Sequence, residues 1–126
     1  MEINHQHNRF SSFKKQFEGE FYWDKSTLIQ YSTDASAFRE IPDAVALPKT
    51  KSDLVKLITF AKQNKIALVP RTAGTSLAGQ VVGKGIIVDF SKYWGKIVEV
   101  NKNEHWVIVE PGVILDELNL FLKQYG

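Results

Sequence analysis

The chain has 126 residues, room for one domain or less and for a modest core. Hydrophobic residues at 44% and charged residues at 24% are ordinary for a soluble folded chain. The net charge of +2 comes from scattered rather than striped Lys and Arg, which argues against nucleic acid or a membrane surface as partner. Without cysteine, neither a disulfide nor a cysteine-held metal cluster lies in these residues. No apolar run approaches a membrane span, and the amino terminus lacks a signal-peptide core, so a cytoplasmic location is expected.

Residues 1–8 read as a loose polar tail, and His5 and His7 within it as tail residues rather than a metal site. From residue 9 the pattern changes. Phe10, Phe13, Phe17 and Phe21 fall at helical spacing, the signature of a helix packed on a core. Gly19 is its natural stop, which leaves Phe21 to the next segment. Residues 20–24 read as extended and residues 26–31 as a helical turn, with Asp34 capping a further turn. Residues 9–40 are thus a lead-in to the main unit, residues 41–126.

Residues 44–48 read as the first core strand, closed by Pro48. Thr50 or Ser52 can cap the helix that follows, with Asp53 favourable in its first turn. Leu54, Val55, Leu57, Ile58 and Ala61 form its apolar face over residues 52–64, and Asn64 or Lys65 ends it. Ile66 begins a second strand, which should end at Pro70 because proline has no N–H to donate. Strand, helix, strand in about thirty residues is a βαβ unit with a parallel crossover.

The segment from Pro70 to Gln80 lies at the carboxyl end of that second strand, where open α/β sheets bind ligands. Gly74 and Gly79 can take backbone angles that a Cβ forbids, letting several amides point into one concavity suited to phosphate oxygens. Thr75 and Ser76 add hydroxyls, residues 76–78 can start a helical turn, and Arg71 places a positive charge at the rim. By composition alone an ordinary turn remains an open reading. Two known phosphate motifs fail. Gly74 and Gly79 have P-loop spacing, but Gln80-Val81 stand where Lys and Ser/Thr are needed; Gly83-Lys84-Gly85 has Val88 at the third glycine position of a dinucleotide fingerprint.

Beyond the loop, Gly83 and Gly85 bracket Lys84 in a turn and residues 86–90 form another strand. Residues 96–101 and 105–110 alternate in polarity and read as an antiparallel hairpin, with Asn103 in its tight turn and His105 on its surface. Pro111-Gly112 breaks the second strand. A last helix puts Leu115, Leu118, Phe121, Leu122 and Tyr125 on one face.

Taken together, the segment Pro70-Arg71-Thr72-Ala73-Gly74-Thr75-Ser76-Leu77-Ala78-Gly79-Gln80 resembles the pyrophosphate loop of FAD-linked oxidases of the vanillyl-alcohol oxidase / p-cresol methylhydroxylase superfamily. Tyr31-Ser32-Thr33-Asp34-Ala35-Ser36 upstream, and Val88-Asp89-Phe90-Ser91-Lys92-Tyr93 and Val109-Glu110-Pro111-Gly112-Val113 downstream, are similar to the branch of D-2-hydroxy-acid dehydrogenases. That resemblance implies an α+β fold: the first, βαβ-containing subdomain of a PCMH-type FAD-binding domain plus the start of the second, antiparallel one. Residues 41–126 are then an incomplete FAD-binding domain, exposing an apolar surface where the remainder packs.

The resemblance also implies site roles. Pro70, Arg71, Thr72, Ala73, Gly74, Thr75 and Ser76 would line the FAD pyrophosphate, Gly79 and Gln80 would close the loop, and Pro111, Gly112 and Val113 would approach from the hairpin's end. Thr72 and Ala73 replace glycines common in the family, and each Cβ narrows the permitted angles. The loop has no histidine for covalent attachment, so non-covalent FAD is expected. The implied reaction is oxidation of a small D-2-hydroxy acid to a 2-oxo acid, hydride passing to flavin N5 and electrons onward to an acceptor the residues do not specify. An iron–sulfur cluster would belong to a downstream part, as would the substrate domain and the catalytic residues; none is assigned within this chain. A stand-alone nucleotide-binding or regulatory module using the same loop is the alternative from another class. Within the superfamily, the reductase of cell-wall precursor synthesis fits the segments around Asp34 and Asp89 less well.

Overall fold

A ring of aromatic side chains around one face of a small sheet organises the amino-terminal two thirds of the molecule. The structure, a computed structural model, describes residues 2–126, with side chains from residue 7 onward. Met1 and the side chain of His5 lie outside the described residues.

In chain order the elements are α1 (Glu2–Lys14), β1 (Glu20–Tyr22), α2 (Lys25–Gln30), β2 (Ala44–Leu47), α3 (Lys51–Asn64), β3 (Leu68–Arg71), β4 (Ile86–Asp89), β5 (Ile97–Asn101), β6 (Trp106–Val109) and α4 (Leu115–Leu122), with a closing 3-10 turn (Lys123–Tyr125). Four strands form one sheet in the order β1-β2-β4-β3, and β5 and β6 form a second of their own. β2, β4 and β3 are parallel, while β1 runs antiparallel to β2. The α+β class is as the resemblance implies. The crossover from β2 through α3 skips one position, because β4 inserts between β2 and β3.

Strand periodicity divides the core in two. Ala44, Ala46, Ile86 and Val88 face one side and pack with Phe10, Phe13, Phe17, Phe21 and Leu57; Val45, Leu47 and Ile87 face the other and pack with Leu28, Tyr31 and Tyr93. β2 and β4 are therefore buried on both faces, as continuous apolar strands in a covered sheet should be. Phe13 stacks on Phe60 with centroids 4.4 Å apart, and Phe10 meets Phe21 edge-on at 5.4 Å.

The helix at the start differs from expectation at both ends. It begins at Glu2, so helix occupies the stretch expected to be a loose tail. His7 has a fixed job there: its Nδ1 accepts a bond from Trp23 Nε1 at 2.9 Å, and the rings meet edge-on. At the other end the helix stops at Lys14, well before Gly19, so of the four phenylalanines at helical spacing only Phe10 and Phe13 are helical. The reason lies in Asp53. This carboxylate is fully buried and accepts the amides of Glu18, Gly19 and Lys49, each at 2.9–3.0 Å, which draws residues 18–19 out of helical register. Gly19 is pressed so closely on the β2 exit that a Cβ would lie 2.1 Å from the Leu47 carbonyl oxygen. Asp53 thus does far more than favour a helix dipole.

Thr50 caps α3 as expected, its Oγ1 accepting the Asp53 amide at 3.1 Å, and Lys65 closes the helix in the left-handed conformation. The apolar face of α3 is only partly used: Leu57 and Ala61 are buried, whereas Val55 and Ile58 are exposed. Pro70 does not end β3. It pairs opposite Val88 and the ladder continues through Arg71, whose carbonyl accepts the Phe90 amide at 2.9 Å. β3 is an edge strand, and at an edge the missing proline N–H costs no ladder bond.

The hairpin forms as read, with an irregularity at Val98. Its turn is managed differently, since the Asn101 side chain accepts the Glu104 amide at 3.0 Å and His105, not Asn103, adopts positive φ. No helix among the described residues is long and apolar enough to cross a membrane.

Candidate functional site: the loop after β3

The loop of residues 71–80 leaves the sheet at the carboxyl ends of β3 and β4. Gly74 and Gly79 both take left-handed backbone angles, φ 69° and φ 75°. Thr72 and Ala73 do not: among the described residues the positive-φ residues other than glycine are Lys65 and His105, so the two replaced glycines impose no backbone strain. Residues 76–78 form no helical turn: Ser76 is irregular and residues 77–78 are bends. Among the described residues no acceptor bonds the backbone amides of Thr72, Ala73, Gly74, Thr75 or Ser76. Five consecutive amides are thus without a protein partner, on a loop bent by a left-handed glycine.

Residues 31–38 run beneath this loop and hold it at successive points. The Arg71 guanidinium donates to the Thr33 carbonyl at 2.8 Å and to the Tyr31 carbonyl at 3.4 Å, and lies 5.3 Å above the Tyr31 ring. Its charge is therefore folded under the loop rather than displayed at a rim; a Cβ on Gly74 would come 2.4 Å from it. The Gly74 carbonyl accepts the Ala35 amide at 3.1 Å. Ser76 donates its hydroxyl to Asp34, so that hydrogen is committed within the protein. The Phe38 ring covers Gly79, where a Cβ would approach it to 2.8 Å. On the far side of Gly79, a groove of about 530 Å³ is bordered by Phe38, Arg39, Gly83 and Lys84.

Below the loop, buried Asp89 accepts the Tyr31 hydroxyl at 2.6 Å and the Ser91 amide at 2.7 Å. Burial, then the bond to Asp89, pushes the Tyr31 hydroxyl well above its ordinary pKa, so it remains a donor. The Asp34 carboxyl is pulled down to about 2, first by the Ser36 hydroxyl and then by Ser76.

Residues 111–113 adjoin this end of the sheet through the 90–94 turn. The Gly112 amide bonds the Trp94 carbonyl at 2.7 Å, and a Cβ at Gly112 would fall 2.4 Å from the Phe90 carbonyl oxygen. Trp94 is itself fixed by its Nε1 donating to the Pro48 carbonyl at 2.7 Å. Pro111 is exposed and Val113 half-buried. Thr72, Ala73, Thr75 and Gln80 are exposed, and the Gln80 side chain accepts the Ala78 amide at 3.2 Å. The structure thus gathers residues 70–80, 31–38 and 89–94 into one end of the sheet, with Gly112 on its border.

Sequence reasoning missed Asp34, Tyr31 and Asp89 as members of this cluster. The spacing of Asp34 and Ser36 does signal a local turn, and the Ser36 amide indeed donates to Asp34 at 2.9 Å. The tie from Asp34 to Ser76, 42 residues away, leaves no local signal.

A family profile described as "FAD binding domain" matches residues 42–126. The chain is 37% identical over 115 residues to D-2-hydroxyglutarate dehydrogenase of Haemophilus influenzae, covering 89% of this chain and 11% of that protein. It is 41% identical over 108 residues to the Escherichia coli protein of the same name, covering 83% and 10%. Mitochondrial D-lactate dehydrogenase [cytochrome] of Kluyveromyces lactis is 35% identical over 89 residues, covering 68% and 16%. The chain spans about a tenth of the length of the first two relatives. Among solved structures, an alkyldihydroxyacetonephosphate synthase superposes with a TM-score of 0.77 at 18% identity, over 94% of this chain and 27% of that one. 4-Ethylphenol oxidase from Gulosibacter chungangensis gives 0.76 at 20%, over 95% and 25%. p-Cresol methylhydroxylase gives 0.70 at 16%, over 98% and 25%. These identities carry the fold alone. With the profile spanning two thirds of the residues, the chain belongs to the FAD-binding domain family, in the fold shared with p-cresol methylhydroxylase.

Proposed function

We propose that this chain is the pyrophosphate-binding part of a flavoprotein dehydrogenase that oxidises a D-2-hydroxy acid to the 2-oxo acid. The observation that carries the reading is the run of unpartnered amides from Thr72 to Ser76 at the carboxyl ends of parallel β3 and β4. A diphosphate bridge carries its charge on oxygens that such amides can bind without a full countercharge. FAD, when bound, supplies the two-electron acceptor for the oxidation.

Residues 72–76 hold the pyrophosphate through backbone amides, with the Thr75 hydroxyl beside them. Gly79 and Gln80 close the loop, and Pro111, Gly112 and Val113 border the cofactor from the hairpin side. Arg71 acts indirectly: through its Nη1 the guanidinium holds the loop to residues 31–33. Cofactor binding is non-covalent, since no histidine stands in the loop. Substrate recognition and proton abstraction belong to parts of the protein outside these residues, which pack on the exposed apolar surface of α4 and the hairpin. The dehydrogenases of D-2-hydroxyglutarate and D-lactate among the relatives support a small 2-hydroxy acid as substrate.

Calorimetric titration of the chain with FAD, ADP and ATP in turn tests this. FAD should bind more tightly than ATP, and equal or tighter ATP binding overturns the flavin reading. The purified chain should not oxidise D-lactate or D-2-hydroxyglutarate; flavin-dependent turnover would show that the catalytic groups lie within these residues after all.

A further inference from the structure

The loop and the segment beneath it are stitched at four places: Arg71 to Thr33, Gly74 to Ala35, Ser76 to Asp34, and Gly79 to Phe38. Three of these use backbone atoms or a ring face. The fourth depends on a single carboxylate. Asp34 accepts the Ser36 amide at 2.9 Å and the Ser36 hydroxyl on Oδ1, and the Ser76 hydroxyl on Oδ2. The Ser36 Oγ in turn accepts the Phe38 amide at 3.1 Å, which links Asp34 to the residue that covers Gly79.

A carboxylate beside an anion nest is unfavourable on charge alone, since it repels a diphosphate. Arg71 offsets part of that cost from below, and what the carboxylate contributes is geometric. With its pKa drawn down to about 2, Asp34 is ionised at neutral pH and can only accept. Ser76 must then be the donor, so its Oγ–H does not reach the ligand and the backbone amides are left to bind it.

We propose that Asp34 is a positioning residue for the cofactor loop: by anchoring its own turn through Ser36 and gripping the Ser76 hydroxyl, it sets the backbone path that carries the unpartnered amides of residues 72–76. This deepens the FAD reading and rests on it for the identity of the ligand. Preorganisation of this kind acts on affinity because the loop's ordering entropy is lost before binding rather than during it.

The test compares wild type with Asp34→Ala, Asp34→Asn, Ser76→Ala, Ser76→Thr and the Asp34→Ala/Ser76→Ala double variant. Backbone 15N relaxation without ligand is measured first, then FAD titration. Order parameters of residues 72–77 should fall from about 0.85 in wild type to below about 0.6 in Asp34→Ala and Ser76→Ala, with β2 and β4 amides unchanged. FAD dissociation constants should rise about tenfold or more in the same two variants, and the double variant should be no worse than either, as for one shared interaction. Ser76→Thr keeps the hydroxyl and should restore order. Should Asp34→Ala fail to fold, Asp34→Asn carries the comparison, with a smaller loss. Wild-type order in both Asp34 variants, or additive losses in the double variant, overturns the proposal. If wild type binds no FAD while the Asp34 variants still loosen the loop, the flavin reading fails and the positioning role stands.

Discussion

The two sheets of this molecule have similar apolar content and opposite fates. In the four-stranded sheet, α1 and α3 cover one face and α2 the other, so every residue of β2 and β4 is buried. In the β5–β6 sheet, Ile108 and Val109 are exposed, and α4 beside it buries none of its residues, with Leu115 and Leu120 each 67% exposed. The difference teaches that an apolar strand or helix becomes core only when something lies opposite it. The folding free energy of these residues therefore resides in the first region.

Leu57→Ala should have the largest effect on this comparison. It empties a fully buried position between α3 and the sheet and should lower the unfolding free energy by about 2–5 kcal/mol in urea denaturation. Asp53→Ala follows, at roughly 3 kcal/mol, because three backbone amides lose their acceptor in the interior. A loss under about 1 kcal/mol there would mean that water replaces the carboxylate and that the buried hub is not structural.

Gly112→Ala probes the junction of the two regions. Its Cβ would meet two backbone carbonyl oxygens, and we expect about 1–3 kcal/mol of destabilisation, together with shifted amide resonances for residues 90–94. Unshifted resonances would mean the hairpin is docked more loosely than the contacts indicate.

A smaller effect is expected from Glu20 and is read through pH. Its carboxyl is lowered from 4.5 to about 2, first by Lys92, then by the Tyr93 and Tyr22 hydroxyls. A depressed folded-state pKa contributes stability that is fully present above pH 4.5 and lost as pH falls through about 2. Wild type should lose its melting-temperature advantage over Glu20→Gln across that window, and a constant difference would sink the assignment. Least of all should follow from Leu120→Ala on α4, within about 0.5 kcal/mol by the same denaturation assay. A large loss there would show that the second region already contributes to the folded core.

Much of the architecture was legible from local pattern. The alternation in β5 and β6, the apolar runs of β2 and β4 and the Thr50 cap each depend on neighbours a few residues away, and each appears where the sequence places it. Pro70 misled because a proline's effect depends on whether its strand is central or at an edge, which is a property of the sheet. Phe17 misled because helical spacing persisted past the point where Asp53 captures the backbone, whereas Phe21 falls in β1, outside the helix as read. In the candidate site, the glycines and the position after a parallel strand were legible, whereas the bonds from Arg71 to the Tyr31 and Thr33 carbonyls were not.

By itself, then, the sequence determined the core strands, the hairpin, α3 with its cap and the presence of a glycine-bearing loop after β3, because these follow from backbone freedom and short-range periodicity. The tertiary structure alone decided that β4 sits between β2 and β3, that Asp53 is an interior hub, and that Asp34 holds Ser76. Those outcomes join residues 34 to 42 positions apart, or place a strand by what covers its two faces. Contacts of that range are settled by chain closure and packing, which no local pattern of side chains encodes.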